Sequence, residues 1–89
     1  MKTTTHEGHE IEIYHAGALT AGYGHKKITV ELRYKDQNKT FAATTNNMPD
    51  YDAMTEIEDL SDKHIALYNL IRYQIADEVT EWIDAINYK

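Results

Sequence analysis

Residues 61–87, SDKHIALYNLIRYQIADEVTEWIDAIN, hold no glycine and no proline, and no other stretch limits the possible folds so strongly. Ile65, Tyr68, Ile71, Ile75, Val79, Trp82, Ile83 and Ile86 recur at steps of three and four. At about 100° per residue they fill one arc of roughly 140°. Asn69, Asp77, Thr80, Glu81, Asp84 and Asn87 stand on the opposite arc. Ser61 followed by Asp62 has the chemistry of an N-cap with an acid in the first turn. The spacing predicts one amphipathic helix about 40 Å long, whose apolar stripe has to be covered by another element.

The first half of the chain supplies the cover. Glu10 to His15, EIEIYH, alternates apolar and polar residues and reads as a strand with Ile11 and Ile13 inward. AGALTAGYG follows and reads as a flexible loop. Lys27 to Lys35, KITVELRYK, is the clearest strand, with Ile28, Val30, Leu32 and Tyr34 on one face. Asp36, Gln37 and Asn38 carry turn chemistry, and Thr40 to Thr45 is a third strand, antiparallel to the second, with Phe41 inward. Residues 1–9 read as a disordered polar tail, and residues 46–60 as an acidic connector or short helix. The expected fold is α+β: a small three-stranded antiparallel sheet, β-β-β-α, with one long C-terminal amphipathic helix on one face. Eighty-nine residues make a single domain, 1–89, with the sheet over 10–45 and the helix over 61–87.

Several classes of function find no support. Cysteine is absent, which removes disulfides and thiolate chemistry. No apolar run approaches the roughly 18 residues of a membrane span, and MKTTTHEGHE lacks the apolar core of a secretory signal. The expectation is a cytoplasmic protein with no membrane partner. Ser61 is the sole serine and is explained by the helix start. The acidic run 50–62 does not match a calcium loop, because Thr55 and Ser61 stand where that loop needs Gly and Glu. GALTAGYGHKK is not a phosphate loop, since Tyr23 follows Gly22 and a strand follows the loop. His6 and His9, flanked by Glu7 and Glu10, form the sole metal-like cluster, and a solvated tail is the better reading of it. Neither an enzyme, a metal nor a cofactor is expected.

Charge is unevenly placed. Residues 1–45 carry a net +1 and residues 46–89 a net −7. Asp50, Asp52, Glu56, Glu58, Asp59 and Asp62 fall within thirteen residues without a base. Seven tyrosines exceed what a core of this size needs, and Tyr suits interfaces. Two features of the helix are anomalous. Arg72 projects into the apolar arc, where its stem packs and its guanidinium snorkels outward or meets a carboxylate. Leu67 and Leu70 fall on the polar arc, so either residues 48–60 fold back over them or they form a patch for a partner.

The first expectation of function is a small acidic non-enzymatic binding protein. It acts by protein–protein contact through Asp50, Tyr51, Asp52, Glu56, Glu58, Asp59, Leu67 and Leu70. The partner is an unidentified protein, one with a basic groove being suited to it, or a second copy forming a homodimer. The alternative is nucleic-acid binding by the hairpin 23–39 through Tyr23, Lys27, Arg33 and Lys35. Glu31 and Asp36 in the same hairpin and the acidic balance of the chain oppose it. GYGHKKITVELRYKDQNKTFAATT resembles the strand pair of double-stranded-RNA-binding domains. The lysine-rich helix start of that family is replaced here by NNMPDYDAM, so the resemblance assigns no nucleic-acid function.

Overall fold

A computed structural model of the chain describes residues 2–22, 24–46 and 48–88. Four strands run β1 (Lys2–His6), β2 (His9–Thr20), β3 (Lys26–Tyr34) and β4 (Gln37–Thr45), and three helices follow: α1 (Met48–Thr55), α2 (Leu60–Ile71) and α3 (Ala76–Asn87). The strands pair antiparallel in sequence order, a meander. The α+β class and the antiparallel sheet are as the sequence predicts, but the sheet has four strands, not three, and the helical half is in three pieces.

The extra strand is β1, formed by residues that read as a loose tail. Its register places His6 opposite His9 and Lys2 opposite Ile13. Glu7 and Gly8 join the strands with φ of 49° and 83°. Positive φ at both central residues is the two-residue turn whose twist suits a hairpin, and Gly at the second position bears it without strain. The supposed metal cluster is therefore this turn. His6 Nε2 lies 2.8 Å from Thr80 Oγ1, and Thr80 Oγ1 donates to Glu7 Oε2 at 3.2 Å, which ties the turn to α3. Strand β2 also runs on through Ala16-Gly17-Ala18-Leu19, read from sequence as loop, after a β-bulge between Ile13 and His15. Between β3 and β4 the turn is Lys35-Asp36, again at positive φ (49° and 65°), so β4 starts at Gln37 rather than Thr40.

One face of the sheet makes the core. Ile11, Ile13, Ile28, Val30 and Leu32 are at most 1% exposed, and they meet Tyr68, Ile71, Ile75, Val79 and Ile83 from the helices. Each such side chain contributes about 1.5–3 kcal/mol by leaving water. Trp82 is buried, and two aromatic rings meet it edge-on: Phe41 at 5.6 Å and Tyr34 at 6.3 Å.

The long helix predicted over 61–87 is interrupted at residues 72–75. No Gly or Pro lies there, so the cause is tertiary. A helix continued through Arg72 would hold its charge within the apolar stripe, which is costly. Breaking the helix lets its guanidinium leave the core and lie 5.3 Å over the exposed ring of Tyr73. Gln74 then turns to β4, where its Nε2 donates to the carbonyl of Thr44 at 2.9 Å. The start of α2 also moves: Asp59, not Ser61, is the N-cap, its carboxylate accepting the N–H of Asp62 at 2.9 Å. The far end of α3 is held by Asn87, whose Oδ1 accepts from Tyr34 Oη (3.1 Å) and Lys35 Nζ (2.7 Å).

Candidate functional site

The eight residues of α1 build the most distinctive surface. Asp50 lies in the first turn of the helix, favourably placed against its N-terminal dipole. Alternation is weak, and Met54 alone is buried; Tyr51 is half-buried. A helix this short is unstable by itself in water, so its docking on α2 holds it. Ile57, on the turn that follows, is half-buried as well.

Two clefts flank this docked helix. On one side, Asp50, Ala53, Met54, Ile57, Ala66 and Leu70 line a groove of about 310 Å³ between α1 and α2. On the other, a cavity of about 240 Å³ lies between α1, the start of α2 and the second half of β2, with Met54 and Tyr51 in its wall. Both have apolar floors. The charges beside them differ in sign.

One acid, Asp50, lines the groove, and three more, Asp52, Glu56 and Glu58, stand exposed on the same segment. Asp59 is occupied as the cap of α2, and Tyr51 faces the cavity side, with Lys26 Nζ 5.3 Å from its ring centre. Of the two leucines that stood out on the polar arc, Leu67 is 5% exposed and covered within the chain, because residues 48–57 fold back on α2. Leu70 remains half-buried in the groove. Sequence reading did not single out Ala53 and Ala66, whose small side chains make the groove. A pair of alanines facing each other across two helices gives no signal of its own.

The cavity has a basic rim of Lys63 and His64. The His15 and His64 rings meet edge-on at 5.3 Å. Burial, then the facing charge of His15, lowers the pKa of His64 below the ordinary 6.5. Deeper in the core, burial raises the Tyr68 phenol above 10.0, against the opposing pull of Arg72.

The basic hairpin is dispersed. Lys27 is exposed, with Arg33 on the same outer face of the sheet. Arg33, however, pairs with Asp36 at 3.2 Å and lies over Tyr14. Lys35 turns back to Asn87. Tyr23 lies outside the described residues. Among the described residues, no three His, Asp or Glu side chains converge as metal ligands, and no helix is long and apolar enough to cross a membrane. Comparison with protein families, curated proteins and solved structures finds no match to this chain.

Proposed function

We propose that this chain is a small non-enzymatic binding protein whose α1–α2 groove docks a basic, apolar segment of a partner protein. The observation that carries the reading is an apolar groove of about 310 Å³ with Asp50 in its lining, on a segment whose other acids, Asp52, Glu56 and Glu58, are all exposed. A groove between two helices accepts an amphipathic helix through anchors at i, i+3 or i+4. Ile57 and Leu70 supply the apolar contact, and the carboxylates select the sign of the partner and hasten encounter. A second copy of the chain suits this groove poorly, since its own acids would face the same charges.

Calorimetry tests the proposal with a synthetic amphipathic helix carrying leucine anchors and lysines, and with its glutamate counterpart. The lysine peptide should bind, weaken as salt rises, and lose on the order of tenfold in affinity, about 1.4 kcal/mol, against Asp52→Lys with Glu56→Lys. Equal affinity for both peptides, or indifference to the charge reversal, would remove the reading.

A further inference from the structure

The sheet has an edge that its own first strand does not cover. Strand β1 pairs with β2 only from His9 to Ile13, and among the described residues no strand continues that column past Ile13. The ladder shows which groups are open. Ala21 N–H donates to the His25 carbonyl at 3.0 Å. In an antiparallel pair alternate residues exchange bonds with a given neighbour, so Gly17 and Leu19 bond β3, while Ala18 and Thr20 aim N–H and C=O outward. Ala16 aims the same way but is only 7% exposed, so the open edge begins at Ala18.

Exposed edges are usually blunted by charge, proline or a covering element. The outer edge of β4 follows that rule, with Lys39 on it and Gln74 bonded to the Thr44 carbonyl. The open stretch of β2 does not. Residues 14–20 hold no Asp, Glu, Lys, Arg or proline, and Leu19 beside the edge is 70% exposed.

Directly against this edge lies the 240 Å³ cavity, in which Ala16, Ala18, Leu60, His64 and Leu67 surround an apolar space rimmed by Lys63. Leu60 there is 67% exposed. No acid occurs from Ile13 to Val30, a span that holds Lys26, Lys27, His15 and His25. The acids at the start of α2 are already engaged: Asp59 caps the helix and Asp62 pairs with Lys2 at 3.1 Å.

We propose that the Ala18–Thr20 edge of β2 is a strand-addition site for an extended, acidic segment of a partner protein. The segment lies antiparallel to β2, in line with β1. Ala18 and Thr20 offer it two donors and two acceptors, which supply affinity without regard to sequence. Its alternate side chains divide between the two faces of the sheet. One aliphatic side chain enters the cavity between Ala18 and Leu67, and a carboxylate beside it meets Lys63. Pairing two copies of β2 edge to edge would instead bring the same basic rims together. The site lies on the opposite side of α1 from the acidic groove and selects the opposite charge.

The test uses the whole ¹⁵N-labelled chain and three capped peptides, EVELEVE, KVKLKVK and EVEPEVE. The first should shift the resonances of Ala16 to Thr20 and Lys63 to Leu67 and slow exchange of the Ala18 and Thr20 amides. The lysine and proline peptides should bind on the order of tenfold more weakly or worse. Lys63→Glu, a change at a half-buried rim position outside the core cluster, should invert the ranking of the two charged peptides. Three results would each overturn the proposal: no perturbation of β2 at millimolar peptide, equal binding of the acidic and basic peptides, or Ala18 and Thr20 amides already protected without peptide. Protection that grows with protein concentration would assign the edge to a second copy instead.

Discussion

Truncating Met54 to Ala should release α1 while leaving the rest of the fold in place. Met54 is the one buried residue of that helix, 7% exposed, and it separates two clefts of about 310 and 240 Å³. Loss of a buried Met side chain costs about 2–5 kcal/mol, and least where the surroundings are loosely packed. With open space on both sides, the cost belongs near 2 kcal/mol. That sum falls on an eight-residue helix with almost no stability of its own. On the sheet side Met54 borders Ala16 and Ala18 of β2, so the contacts among β3, β4 and α3 should keep their cooperative unfolding. Native-state hydrogen exchange resolves this: amides of residues 51–55 should lose their protection, while those of Ile28, Val30 and Leu32 keep theirs. The denaturant slope should also fall slightly, because part of the surface is exposed before the main transition. If protection is lost equally in α1 and β3, the helix belongs to the cooperative core and the reasoning fails.

Other outcomes follow from the same contacts. Trp82→Ala should cost about 3–5 kcal/mol in urea unfolding followed by circular dichroism, since the indole sits edge-on to Phe41 and Tyr34; a loss under about 1 kcal/mol would contradict its place in the core. Asp36→Gly should raise stability by about 0.5–1 kcal/mol, because it relieves a non-glycine residue at φ 65° and gives up only an exposed pair with Arg33; a drop in melting temperature would speak against a strained turn. Stability should decline as the pH falls below 6.5. His64 is lowered from that value, so the unfolded chain binds the extra proton first and the proton favours unfolding. His64→Gln should flatten this limb of the pH profile, and an unchanged slope would mean that another group carries it.

What the sequence made legible was whatever had a strong period. KITVELRYK alternates without interruption, and β3 occupies nearly the same residues, one position earlier. The apolar stripe of 61–87 likewise named buried residues of the helical half, Ile71, Ile75, Val79 and Trp82 among them. What escaped was structure fixed from outside the segment. KTTTH is a strand because β2 accepts it at an edge, and threonine on both faces leaves no alternation to read. AGALT is a strand because small inward residues suit the space under α1 and α2, and small residues mimic a loop. The break at 72–75 depends on Gln74 reaching Thr44 across the molecule, which no local spacing records. In the candidate site, the acids of 50–58 were visible as a charge run, and Leu70 as a misplaced apolar residue. The groove joining them was not, since it exists only once α1 folds back on α2.

The proposed function rests most on the groove beside α1 as a docking surface for a basic, apolar segment. Titrating the ¹⁵N-labelled chain with the lysine-bearing amphipathic peptide, and mapping which amides move, tests it most directly. Saturable shifts should centre on Ala53, Ile57, Ala66 and Leu70, with the outer face of the sheet around Lys27 and Thr40 unmoved. Shifts confined to that outer face, or none at all at millimolar peptide, would contradict it.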